Sequence, residues 1–210
     1  MANSVLVIAD SGTGKSTSIR TLDPKETFII NIANKPLPFK GWKSKYTQIT
    51  KDNPKGNLTS AATAPGIIKA MRHVNDKMGH IKTIVVDDWQ YMSSFEYFDR
   101  ANEKGYEKFT QIAANLAQVA KLPKDLREDL TIIFLTHSED STDINGNRKI
   151  KAKTVGKMID NTLTLEGLFS IVLFGKVNKN DDGELIYGFE TQNNGENTCC
   201  LLYTSPSPRD

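Results

Sequence analysis

The sequence predicts an α/β fold: a mainly parallel β-sheet flanked by helices, with an antiparallel edge in its C-terminal third. Three observations carry that expectation. Apolar, β-branched runs at Val5 to Ala9, Thr27 to Ile32, Thr83 to Val86 and Thr131 to Thr136 read as buried strands. Segments with apolar residues at helical spacing lie between them, as βαβ units with right-handed crossovers require. Near the C-terminus, Asn145-Gly146 and Asp182-Gly183 each separate two extended segments, as hairpin turns do.

Taken in order, the run Val5 to Ala9 stops at a Gly/Ser/Thr-rich loop. A helix follows from near Ser16 and ends before Asp23-Pro24. Thr27 to Ile32 is the next strand, followed by a long loop rich in Lys, Pro and Gly and a short strand at Tyr46 to Ile49. Ile67, Ile68, Met71, Val74 and Met78 recur at helical spacing, so Pro65 to Met78 is a helix with Pro in its first turn, ended by Gly79. Thr83 to Val86 runs into Asp87-Asp88. Phe109, Ile112, Ala113, Leu116, Ala117 and Ala120 mark one face of a further helix that Pro123 limits. After the strand Thr131 to Thr136, the segments Ser170 to Val177 and Glu184 to Thr191 form the C-terminal hairpin. No internal repeat or interdomain linker interrupts the pattern.

The composition, 38% hydrophobic and 25% charged over 210 residues, suits one domain with its own core. A net charge of +2 does not by itself argue for nucleic acid. No apolar run approaches the roughly 20 residues that span a bilayer, and Met1 to Ala9 lacks a basic n-region and a cleavage site, so a cytoplasmic protein without membrane association is expected. Cys199 and Cys200 are adjacent, which is neither a disulfide framework nor a metal-ligand spacing. The segment Cys200 to Asp210, CLLYTSPSPRD, resembles the translation of a sequencing-library adapter. The expected domain is therefore 1–198, with 199–210 a non-native tail and a natural protein that continues beyond Thr198.

The chemistry concentrates at the strand ends. Ala9-Asp10-Ser11-Gly12-Thr13-Gly14-Lys15-Ser16, followed by Thr17, fits the P-loop pattern except that Ala9 replaces the first glycine. Gly12 and Gly14 let backbone N–H groups turn inward around phosphates, Lys15 reaches the β- and γ-phosphates, and Ser16 offers its hydroxyl to magnesium. Asp87, at the end of an apolar strand, is placed to hold the magnesium shell as a Walker B acid. Asp88 has two readings: it orients the attacking water, or it caps the segment that follows. Thr136-His137-Ser138 ends the next strand, where His137 either senses the γ-phosphate or is a satisfied strand-end histidine.

Two basic stretches remain. Arg148, Lys149, Lys151, Lys153 and Lys157 come without an intervening acid, and alternate lysines of an extended chain stand about 6.6 to 6.8 Å apart, near the phosphate spacing of an extended single strand. They form either a single-stranded DNA contact or a solvated basic hairpin. Lys35 to Tyr46 (KPLPFKGWKSKY) interleaves lysines with Phe39, Trp42 and Tyr46, which suits either base stacking or a loop packed over the sheet edge.

With the P-loop, Asp87-Asp88, Thr136-His137-Ser138, the basic hairpin and the terminal GFETQNNGENT in view, the chain resembles the phage-encoded RecA-like AAA ATPases, a group that includes small single-strand-annealing recombination proteins. The resemblance spans about Ser4 to Thr198. It implies a RecA-like core, ATP with Mg2+ as ligands, single-stranded DNA held by the loop after the sensor strand, a homo-oligomer, and a single-strand-binding protein as a further partner. The sequence departs from RecA proteins where they carry a catalytic glutamate after the second strand: Asn31-Ile32-Ala33-Asn34-Lys35 contains no acid. Hydrolysis then depends on Asp88 or is slow. Lys153 and Lys157 are available to complete a neighbouring subunit's site. A DNA-associated ATPase is the leading reading; the alternatives are a small-molecule kinase with the basic hairpin as its lid, and a nucleotide-gated binding module that hydrolyses little.

Overall fold

The computed structural model describes residues 1–142, 145–155 and 164–200. Eight strands form one sheet: β1 (Asn3–Ala9), β2 (Thr27–Asn31), β3 (Leu58–Thr59), β4 (Thr83–Asp87), β5 (Thr131–Thr142), β6 (Arg148–Ala152), β7 (Ile171–Lys179) and β8 (Leu185–Glu190). Their order is β3-β2-β4-β5-β1-β7-β8, with β6 paired to the outer half of β5. Strands β3 to β7 along this order are parallel, while β5/β6 and β7/β8 are antiparallel hairpins. The mainly parallel sheet with an antiparallel C-terminal edge is thus present as expected. Gly146 and Gly183 hold the positive φ that the hairpin turns need (82° at each).

Strand alternation divides the core into two. Leu6, Ile8, Phe28, Ile30, Ile84, Val86, Ile132 and Phe134 face the helices α3 (Ala64–Lys77) and α5 (Glu107–Lys121), whose Ile67, Met71, Val74, Ile112, Leu116 and Val119 complete the larger cluster. Val7, Ile29, Val85 and Leu135 face the other way. That second face has little helix to cover it: α1 (Lys15–Ser18) continues only as a 3-10 turn over Ile19–Thr21, and α2 (Trp42–Lys45) is one turn long. The loop between β2 and β3 supplies the missing layer with Leu37 and Tyr46, both buried, and with Phe39 and Trp42 packed against them. Phe39 and Tyr46 meet edge to face at 6.3 Å. Of the aromatics between Lys35 and Tyr46, Tyr46 is therefore a core residue and Phe39 and Trp42 pack partly buried against it. The short strand expected at Tyr46 to Ile49 is reduced to a bridge from Gln48 to Leu58.

A helix that the sequence pattern did not reveal, α4 (Gln90–Asp99), starts directly after β4. At the other end of the chain, Cys199 is buried and Cys200 bridges to Val172 on β7, so both join the fold; 201–210 lie outside the described residues, as does Lys157. Among the described residues no helix is long and apolar enough to cross a membrane.

Candidate nucleotide-binding site

The C-terminal ends of β2, β4, β5 and β1 lie side by side, which is where a parallel sheet with a reversal in strand order offers a crevice. The register sets Asn31 beside Asp87 and Ala9 beside His137. A cavity of about 740 Å³ opens there, walled by residues 11–18, Lys35, Asp87, Asp88, His137 and, from β8, Tyr187 and Phe189.

The loop between β1 and α1 has the backbone its glycines imply, with φ of 81° at Gly12 and 90° at Gly14. Gly12 has nothing within 4 Å of the place a Cβ would occupy, so the concavity is open. The N–H groups of Lys15, Ser16 and Thr17 begin a helix and have no acceptor within it. The β-branched and hydroxylic run Thr17, Ser18, Ile19 keeps α1 to a single turn, so these N–H groups act with little of the dipole that a long helix would add. Asp10 and Ser11 form the outer lip. Thr13 Oγ1 donates to the carbonyl of Asp10 at 2.7 Å, and Ser138 Oγ meets Asp10 Oδ1, tying the lip to β5.

Ala9 stands where the pattern has its first glycine, and β7 compensates. Its partner in register is Gly175, where an added Cβ would lie 2.7 Å from the Cβ of Ala9. The required absence of a side chain has moved across the ladder. Gly175→Ala should consequently cost about 1 to 3 kcal/mol of stability through overpacking, measured by urea denaturation, and Ala9→Gly in the same chain should restore most of it. An unaffected single variant would show that β1 and β7 are farther apart than this.

Lys15 is buried, and its Nζ donates to the carbonyls of Ala9 (2.6 Å) and Asp10 (2.7 Å). Burial lowers its pKa to about 8, against the pull of Asp88, Asp10 and Asp87. Ser16 Oγ donates to Asp87 Oδ1 at 2.7 Å. Burial raises Asp87 to about 6, with the Ser16 bond opposing and the neighbouring Asp88 charge adding to the rise. Among the described residues Asp87 makes no ion pair, although the nearby Lys35 charge offsets part of the rise. Adjacent hydroxyl and carboxylate oxygens of this kind fit Mg2+, which keeps several waters and shares substrate phosphates.

Asp88 differs from its neighbour. Successive residues of a strand face opposite sides, yet both carboxylates line the cavity, because Asp88 adopts φ 59° and turns the chain towards β5. The Trp89 N–H then bonds the carbonyl of Leu135 at 2.9 Å, and its indole packs against Phe134 and Phe169 at 4.8 and 5.6 Å. The Asp88 carboxylate lies 2.5 Å from Lys35 Nζ and 3.5 Å from His137 Nε2. Burial alone would raise its pKa, but the hydrogen bonds and charges of His137 and Lys35 outweigh that and hold it at about 2. Its carboxylate is paired on two sides and is not placed to cap α4. The His137 backbone N–H is held by Gln90 Oε1 at 3.2 Å.

Sequence reasoning singled out neither Lys35 nor Gln90 for this site, nor the exposed Tyr187 and Phe189. No motif marks any of them; the missing acid after β2 was the one available signal for Lys35. The basic hairpin stands apart from the cavity. Lys149 and Lys151 share one face of β6 opposite Ser141 and Glu139, while Arg148 is paired with Asp140 (2.9 Å) and Glu196 (3.7 Å). Lys149 Nζ donates to the Gly195 carbonyl at 2.6 Å, and Lys153, beyond the strand, bonds the His137 carbonyl through its N–H at 2.8 Å. The run from Arg148 to Lys153 contains no acid, yet β5 and Glu196 bring acids to it.

This loop, strand and carboxylate arrangement defines a P-loop nucleotide-binding domain. The sequence matches the model of the AAA domain family over residues 1–209, and the chain belongs to that family. Its fold is similar to that of a solved structure, "the assembled ATPase EscN from the enteropathogenic E. coli (EPEC) type III secretion system", with a TM-score of 0.53 at 12% identity. The likeness covers 83% of this chain and 43% of that one, so the chain spans less than half the length of this structural relative. No curated protein matches the sequence.

Proposed function

We propose that the chain is a magnesium-dependent ATPase of slow intrinsic turnover. The observation that carries this reading is the 2.7 Å bond joining Ser16 of the P-loop to Asp87 at the end of β4, beside the buried ammonium of Lys15. Gly12, Gly14 and the N–H groups from Asp10 to Thr17 cradle the phosphates of ATP, and Lys15 exchanges its two carbonyl contacts for phosphate oxygens. Ser16 and Asp87 hold magnesium, which neutralises charge on the phosphate oxygens when bound. Asp88 accepts a hydrogen bond from the attacking water and so orients it. With a pKa of about 2, it is a weak proton acceptor, and among the described residues no glutamate lines the cavity; hydrolysis is slow for that reason. His137 reads the terminal phosphate, and the contact of Ser138 with Asp10 links that strand end back to the P-loop.

Single-stranded DNA, in phage recombination or replication, is the second part of the proposal. It rests on the shared face of Lys149 and Lys151 and on the neighbouring Lys153. The hairpin is hydrogen-bonded to β5 on one side and through the Ile150 N–H to Glu196 on the other (2.9 Å), which suits a fixed contact surface better than a kinase lid that must move. A homo-oligomer and a single-strand-binding protein belong to the same reading. The test is ATP turnover with and without single-stranded DNA, together with the salt dependence of DNA binding. Stimulated turnover is expected, and changing Lys149, Lys151 and Lys153 to alanine should flatten the slope of log affinity against log salt by about 2 units. Turnover indifferent to DNA, with an unaltered slope, would leave the ATPase without a nucleic-acid partner.

A further inference from the structure

The loop after β2 is constructed to present one cation. Asn31, buried at the end of the strand, donates from Nδ2 to the Lys35 carbonyl at 2.6 Å and accepts the Lys35 N–H on Oδ1 at 3.3 Å. Asn34 turns the chain through φ 52°, and Ser60 Oγ donates to its side-chain oxygen at 2.7 Å. The main chain at Lys35 is thus fixed from two sides although its side chain is 56% exposed. That side chain crosses the Tyr91 ring at 5.3 Å and ends 2.5 Å from Asp88 Oδ2, on the wall of the cavity that also holds Lys15, Ser16 and Asp87.

From this geometry we infer a second phosphate-binding position outside the P-loop, formed by Lys35 and taking the terminal phosphoryl group of a nucleoside triphosphate. The inference rests on the nucleotide reading above and goes beyond it by assigning the discrimination between tri- and diphosphate. An ammonium carries three donors, and the Asp88 carboxylate is the one hydrogen-bond partner that Nζ has among the described residues. Two donors remain for oxygens entering the cavity. The strand order places Lys35 and Asp88 after β2 and β4, across β5 from the Lys15 that follows β1, and all three line the one cavity. A terminal phosphate arriving there meets the buried Asp88 carboxylate, which would repel it if bare. Lys35 neutralises Asp88 and bridges it to the phosphate. A diphosphate ends short of this bridge and is indifferent to it.

The full-length chain tests this by calorimetric titration with Mg2+ and either ADP or a non-hydrolysable ATP analogue. Lys35→Ala should weaken the analogue about 10- to 100-fold and leave ADP within about twofold. Lys35→Arg should keep most of the discrimination, and adding Asp88→Asn to Lys35→Ala should recover part of the loss by removing the repelling charge. Equal weakening of both nucleotides would mean that Lys35 only supports the loop, and an unchanged ratio would mean that it does not reach the phosphate; either result overturns the inference. If Lys15→Ala abolishes binding of both nucleotides while Lys35→Ala leaves their ratio intact, this inference alone fails. If the folded wild-type chain binds neither, the nucleotide reading fails and this inference falls with it.

Discussion

Lys15→Ala should lower the affinity for ATP with Mg2+ by at least about 100-fold, the loss expected when a charged donor to phosphate is removed from a partly dehydrated site. The side chain belongs to neither apolar cluster, and its ammonium bonds only the carbonyls of Ala9 and Asp10 in the described structure. No apolar packing is lost with the ammonium, and water can replace it at the exposed Asp10. The thermal midpoint followed by circular dichroism should therefore change little while the calorimetric signal disappears. Lys15 also sets one limb of the pH dependence. Its pKa of about 8 in the ligand-free protein means that binding must restore a proton above that pH, so affinity should fall as pH rises through about 8.

Asp87→Asn should reduce magnesium-dependent turnover by about 100-fold or more, because the carboxylate proposed to hold the metal is replaced by a neutral oxygen. The same change should stabilise the ligand-free protein. Asp87 has a folded pKa of about 6 against the ordinary 3.8, so the stability conferred by its bound proton is complete below the unfolded value and is lost as pH rises through about 6. Asparagine imitates the protonated form at every pH. The variant's melting temperature should then exceed that of the wild type above pH 6 and converge with it below about pH 4. Asp88 should show the opposite sign. Its pKa of about 2 contributes stability that is present above 3.8 and lost as pH falls towards 2, so Asp88→Asn should melt lower than the wild type at neutral pH. Since the metal binding proposed for Asp87 requires it without its proton, nucleotide affinity should also decline below about pH 6, leaving an optimum between the Asp87 and Lys15 transitions.

Local chemistry was legible wherever it depends on consecutive residues. The glycines of the P-loop, the apolar run ending in Asp87 and the helical spacing of Ile67, Met71 and Val74 each declare themselves within a few positions, and each is found where expected. Features that depend on register were not. The acids facing the basic hairpin, Glu139 and Asp140, become its neighbours only because β5 runs past His137 to Thr142 and doubles back. Gly175 answers the substitution at Ala9 from the far side of a strand pair. Lys35 reaches Asp88 because β2 and β4 are adjacent and Asn31 folds the intervening loop back. The aromatics between Lys35 and Tyr46 read ambiguously for a different reason: their burial follows from a sheet face that the one-turn α1 leaves uncovered. Helix α4, carrying Tyr91, Phe95, Tyr97 and Phe98, lacks a clean apolar stripe, and its exposed Phe98 blurs the periodicity.

The cavity between the P-loop, Asp87 and Asp88 is proposed to hold a nucleoside triphosphate with magnesium. Calorimetric titration of the wild-type full-length chain with a non-hydrolysable ATP analogue, at pH 7 and with Mg2+ or EDTA, tests it most directly. A saturable isotherm with one site per chain is expected, tighter with magnesium than with EDTA and displaced by inorganic tripolyphosphate, which shares the phosphates but lacks the nucleoside. A folded protein that gives no binding heat, or that binds the analogue equally well without magnesium and without competition from tripolyphosphate, would contradict it.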